Sequence, residues 1–315
     1  MEQSSAGDPS LHRKNPTTDP ATSASLHVLL ANLIDYAGLF PPAELSMRDA
    51  VAAYGRHRQS QDAWALGRFV VPVARLAEFA DTAGDLRAPD HPAWSLSALI
   101  GDDARHDAAV IAQCNAANAA RFVIEAAEVR VASLDAVSPA VTSLAQSLTL
   151  FVEIPLNAQL DEYLNALSSA RVRAKIRTGG VTPDAVPSSH DVARFLVACA
   201  ANALPFKATA GLHHPMRAEY PLTYQPDAKH TTMFGFLNVF LAAGLAHAGA
   251  DSKEVSSLLD EREPASMHFT SSGVSWRRHE LSIDQLVSTR QAFALSFGSC
   301  SFDEPLGDLR ALALL

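Results

Sequence analysis

Cysteine is scarce in this chain: three residues, Cys114, Cys199 and Cys300, are far apart, odd in number and without a CxxC pair. That excludes a disulfide framework and a thiolate zinc cluster, and fits free thiols in a reducing compartment, the cytoplasm. Charge is sparse too, at 19% of residues with a net of −9. A nucleic-acid backbone and an anionic membrane are therefore poor partners, and a bound anion must be met by local basic residues. The polar start, Met1 to Ser25, has no apolar core of the kind a secretory leader needs. Residues 1–24 read as a disordered tail, and 25–315 as one domain without an internal low-complexity linker. One apolar run stands out, Met233–Ala250, but it holds Asn238 and His247 and lacks aromatic or basic flanks. It is short for a membrane span. It reads instead as a buried helix, Met233–Ala248 of which is expected to be covered in part by a second copy of the chain.

Hydrophobic residues make up 48% of the chain, so a large core can form. Short β-rich runs alternate with helical runs in eight units, the pattern of a (β/α)8 TIM-type barrel. Strands are expected near Gly38–Phe40, Arg68–Pro72, Ser95–Gly101, Arg121–Ala126, Leu148–Pro155, Val172–Thr178, Pro205–Gly211 and Met267–Ser271. Helices are expected between them, among them Met47–Arg58, Ala104–Asn118 and His190–Ala201. No GxGxxG follows the first strand, which counts against a dinucleotide-binding sheet. The polar segment Ser299–Pro305 gives no core signal, and Cys300 within it has no nameable basic partner.

Side chains alternate across a strand with a period of two. In Val172–Thr178 the apolar Ala174 and Ile176 face the helices, which turns Arg173, Lys175 and Arg177 into the barrel. The same reasoning turns Lys207 and Thr209 inward from the next strand, Glu153 from Leu148–Pro155 and Glu125 from Arg121–Ala126. Buried charges must be paired or used, and at the C-terminal ends of barrel strands they are commonly used. A structural layer of ion pairs is the other reading. Two lysines on adjacent strands suit imine chemistry: a second cation keeps an amine unprotonated, so that it can attack a carbonyl. Glu125 or Glu153 would then move protons. Arg177 is suited to clamp an anionic group, and Thr178, Gly179 and Gly180 can offer hydrogen-bond donors beside it.

The run AKIRTGG (Ala174–Gly180) resembles the imine-forming strand of the deoxyribose-phosphate aldolase family. FKATAG (Phe206–Gly211) resembles that family's next strand, and FTSSGV (Phe269–Val274) is similar to its last, which ends in a phosphate loop. The resemblance implies that Lys175 forms the imine and Lys207 is its partner, with Ser271 and Ser272 at the substrate's anionic group and no cofactor. It covers three strands only. Arg177, Glu125 in place of an aspartate and Gly211-Leu212-His213-His214 in place of a glycine pair depart from it. His213 and His214, just past the seventh strand, are expected to contact substrate. They also leave open a divalent-metal lyase, isomerase or hydrolase built on them and the interior glutamates. Either way the expected partner is a small anionic molecule.

Overall fold

The computed structural model describes residues 22–86, 92–144 and 148–315. Strands and helices alternate: α1 (Thr22–Leu30), β1 (Ile34–Tyr36), α2 (Met47–His57), β2 (Leu66–Pro72), α3 (Leu76–Leu86), β3 (Trp94–Leu99), α4 (Ala104–Asn118) and β4 (Phe122–Arg130). Then follow α5 (Val137–Leu144), β5 (Thr149–Glu153), α6 (Leu160–Ser169), β6 (Arg173–Arg177), α7 (Ser189–Ala201) and β7 (Phe206–Thr209). After an antiparallel pair, β8 (Ala218–Pro221) and β9 (His230–Met233), come α8 (Phe236–His247) and α9 (Ser252–Leu259). A three-stranded sheet, β10 (Met267–Phe269), β11 (Gly273–Trp276) and β12 (His279–Ser282), leads to α10 (Ile283–Ala292), β13 (Ala294–Ser299) and α11 (Asp303–Ala311).

Eight strands close into a parallel barrel in the order β1-β13-β7-β6-β5-β4-β3-β2. The fold is a TIM-type barrel. Outward residues of the strands, such as Phe69, Phe122, Ile176 and Phe206, are fully or almost fully buried under the helices. Of the expected tail, residues 1–21 lie outside the described residues, and α1 begins at Thr22, inside the stretch read as tail. No described helix is long and apolar enough to cross a membrane.

Three expectations are corrected. The first barrel strand is Ile34–Tyr36 rather than Gly38–Phe40, which makes Asp35 an inward residue. The eighth is Ala294–Ser299, whereas Met267–Phe269 pairs antiparallel with β11 outside the barrel. ALSFGS hides its role because its inward side chains at Ser296 and Gly298 are small and only Phe297 signals the helix-facing side. Finally, α8 is buried from Phe236 to Ala246 by its own chain, packed on α7, α9 and α10. The apolar run therefore needs no second subunit to cover it.

Glycine matters sharply at one barrel position. A Cβ on Gly67 would stand 2.4 Å from Asp35 Oδ1, so only glycine lets β2 pass beside that carboxylate. The register between β1 and β2 shifts at the same place. Arg68 N then donates to Asp35 Oδ1 at 2.8 Å.

Candidate active site

Strand register sets the site. Glu153, Lys175 and Lys207 are direct neighbours across β5, β6 and β7, and Ser296 of β13 continues the row. Because inward side chains recur every second residue, these polar groups meet in one layer at the barrel centre. Glu128 enters that layer from β4 and Asp35 from β1.

The layer is a chain of alternating charges. Lys207 Nζ lies 2.6 Å from Asp35 Oδ2 and 2.6 Å from Glu128 Oε1. The other oxygen of Glu128 is 2.9 Å from Lys175 Nζ, which is also 2.9 Å from Glu153 Oε2. Arg177 Nε closes the chain at 3.1 Å from Glu153 Oε1, with Arg130 Nε at 3.9 Å. Two hydroxyls satisfy remaining lone pairs: Ser97 Oγ donates to Glu128 at 2.7 Å and Ser296 Oγ to Asp35 at 2.8 Å. Five ionised groups can be buried here because each has an opposite charge within hydrogen-bond distance.

Protonation follows from this pairing. Burial would raise the Glu128 carboxyl, but the ammonium groups of Lys175 and Lys207 outweigh it and hold it far below its ordinary value. Burial likewise opposes the shift at Glu153, where Lys175 and then Arg177 keep the pKa low. Burial would lower Lys207, yet Asp35 and Glu128 raise it. Lys207 is thus a locked ammonium whose charge is taken up by two carboxylates. This departs from the expectation that it faces the substrate cavity beside Lys175.

A cavity of about 390 Å³ opens above the layer at the C-terminal ends of the strands. Lys175, Glu128 and Glu153 reach it, and Lys207 does not. One wall is basic, with Arg130 and Arg177; the other is apolar, with Phe40, Pro41, Val70 and Ile100. The volume suits a small molecule. Gly180, Thr209 and His213 also line it.

Other expected residues fall elsewhere. Glu125 sits toward the N-terminal end of β4, its Oε1 2.7 Å from Arg68 Nε. The pairing of β3 with β4 skips it, since Leu96 faces Ile124 and Ser97 faces Ala126. This bulge shifts the inward phase by one residue, so Glu128 takes the place expected for Glu125. Thr178 Oγ1 donates to the Ala210 carbonyl at 2.6 Å. A Cβ on Gly179 would stand 2.9 Å from Gly211 Cα, so Gly179 lets two βα turns touch. Ser271 and Ser272 lie in the β10–β11 turn; that sheet packs on α1 and α10, away from the cavity.

The histidine pair diverges. His213 Nδ1 is 3.8 Å from Cys300 Sγ and 3.6 Å from Glu304. His214 Nδ1 is 2.6 Å from Asp308, and its ring stacks on Tyr220. Both turn toward acids of α11 rather than toward Glu128 or Glu153. Burial, with His214 adding to it, pushes His213 down to about 4, so it is neutral at neutral pH. Cys300 lines the cavity rim, and burial pushes its thiol up. Among the described residues no group of three or more His, Cys, Asp or Glu side chains is placed to hold a metal ion.

Two site residues escape the sequence reading. Asp35 reads as a loop residue on pattern alone, whereas the structure puts it in β1, Ile34–Tyr36. Glu128 lies beyond the expected end of β4 at Ala126, because the strand continues to Arg130. A direct check follows. Glu125→Gln is expected to cost at most about 1 kcal/mol, because its ion pair is part-exposed. It should leave any covalent substrate labelling unchanged, read by urea melts and intact-mass spectrometry.

No protein-family model matches this chain, and no curated protein is found to be similar to it.

Proposed function

We propose that this chain is a carbon–carbon lyase of the class I aldolase type, acting on a small anionic carbonyl compound through an imine on Lys175. The observation that carries the reading is the position of Lys175 Nζ. It stands at the floor of an open cavity, 2.9 Å from each of two carboxylates, with guanidinium groups on the adjacent wall.

The pairing supplies a route for activation. An amine attacks only after losing its proton. Glu128 and Glu153 both touch Lys175 and reach the cavity, and Glu153 is the better acceptor because Glu128 is also held by the buried Lys207. Glu153 is a weak base while Lys175 and Arg177 hold it. An incoming anionic group competes for the Arg177 fork, which releases one cation from Glu153 and makes it a better base. The substrate thereby promotes its own nucleophile. The free amine adds to the carbonyl, and the carbinolamine loses water to give a protonated imine. The bond between the α and β carbons then breaks. Its electron pair moves into the iminium to form an enamine, and the leaving fragment departs as an aldehyde after giving its hydroxyl proton to a carboxylate. Protonation of the enamine carbon and hydrolysis return the amine. The apolar wall from Phe40 to Ile100 would hold the uncharged end of the substrate. This barrel carries many unrelated chemistries, so the reading rests on the site and not on the fold.

Borohydride reduction in the presence of small oxo acids and aldehydes tests it. Pyruvate, glyoxylate and glyceraldehyde 3-phosphate are suitable probes. The expected result is one stable adduct per chain, mapped to the peptide that contains Lys175. If none of a broad panel labels Lys175 above the rate seen for surface lysines, the proposal is wrong.

A further inference from the structure

At the opposite, N-terminal end of the barrel lies a second cavity, of about 450 Å³. Arg68, Arg173 and Arg290 line it, with Thr149 and Gln291 beside them. Arg173 is the lowest of the inward residues of β6. It stands about 13 Å below Arg177 at the usual rise per strand residue. Phe151 lines this lower cavity, and its ring packs under Lys207 Nζ at 5.4 Å, so the charge layer above is closed off from it.

The three guanidinium groups are under-neutralised. Glu125 meets Arg68. Arg290 is buried, and the partners of its terminal nitrogens are main-chain carbonyls, those of Ala294 and Ala31. Neither Arg173 nor Arg290 has a carboxylate in contact among the described residues. Their Nε groups are buried, and no described acceptor reaches them. A buried N–H without an acceptor is costly, and an arginine without a counter-charge is more so. Burial, and then Arg68, lowers the Arg173 pKa, and burial brings Arg290 to about 10 against the opposing pull of Asp35.

We propose that this lower mouth is a second ligand site, one that takes a compact dianionic oxyanion group, a phosphate or phosphate monoester, between Arg68, Arg173 and Arg290. Among the described residues only one carboxylate, Glu125, contacts the three guanidiniums, so positive charge is locally in excess and a dianion would balance it. Guanidinium forks also match the spacing of phosphate oxygens. The site is independent of the imine reading, because the charge layer and Phe151 separate it from Lys175.

Inorganic phosphate is the probe, titrated calorimetrically into the full chain at fixed ionic strength with chloride as the balancing anion. Saturable phosphate binding that persists when Arg177 is replaced is expected. Arg173→Gln should weaken it at least about tenfold, the loss of one charge-assisted contact. Arg177→Gln, which alters only the upper cavity, should leave it unchanged. Should Arg173→Gln not fold, phosphate protection of Arg173 from phenylglyoxal, followed by peptide mass, reads the same contact in the wild-type chain. Absence of saturable binding, a loss caused by Arg177→Gln instead, or phenylglyoxal reaction at Arg173 indifferent to phosphate would each overturn the proposal.

Discussion

Lys175→Met is expected to abolish borohydride-dependent labelling and to lower turnover by at least about a thousandfold, the scale on which removing a covalent nucleophile acts. Methionine keeps the length and apolar stem of lysine and discards only the amine. Glu128 retains Lys207 as a partner and Glu153 retains Arg177, so neither carboxylate is left bare. Circular dichroism and a urea melt establish that the variant is folded before labelling is read. A folded variant that still gains the full adduct on another residue would show that Lys175 does not carry the imine. The substitution also separates the two uses of the charge layer. If the layer were only a structural plug, Lys175→Met would move stability and leave no labelling difference to find.

Glu128→Gln should have the largest effect on stability. Its carboxylate sits between two buried ammonium groups, one on each oxygen. With the charge gone, Lys175 and Lys207 face each other across a neutral amide. Breaking a buried ionic network in this way costs about 3–5 kcal/mol. For a chain of this size that lowers the melting temperature on the order of 10 °C. The part-exposed Arg68–Glu125 pair, in contrast, falls in the sub-kcal class.

Acid pH should expose the same group. The pKa of Glu128 is held below the ordinary glutamate value of 4.5, so the folded state favours the ionised form. Its contribution is complete above that value and is lost progressively as pH falls toward the folded pKa. Glu153 acts in the same direction. Wild-type stability should therefore decline steeply with acid below about pH 4.5, while Glu128→Gln should show a shallower decline. Superimposable urea-midpoint curves for the two proteins across pH 3–7 would show that the network does not stabilise the barrel.

Much of this molecule is legible from local pattern. The (β/α) alternation follows from apolar runs of strand length set between helical periods, and the inward turn of Lys175, Arg177, Lys207 and Glu153 follows from a period of two within short, regular strands. They are legible because β5, β6 and β7 contain no irregularity between the apolar marker and the charge. The pattern misleads where one residue is inserted or where the inward residues are small. The bulge at Glu125 exchanges the faces of β4 beyond it, so that Glu128 joins the site. Ser296 and Gly298 leave β13 without the hydrophobic contrast that marks a strand.

What the amino-acid sequence determined by itself is thus the set of candidate charges, their strands and the class of fold, because each depends on residues only a few positions apart. Tertiary structure alone decided which strand closed the barrel, which glutamate bridged the two lysines, and that Lys207 lies beneath the cavity between Asp35 and Glu128. Those outcomes depend on contacts between distant segments: Asp35 and Lys207 touch across 172 positions of the chain. No periodicity within a strand reports which partner a buried ammonium will find, since that is set by register between strands, by a bulge in one of them, and by a glycine that lets a carboxylate approach.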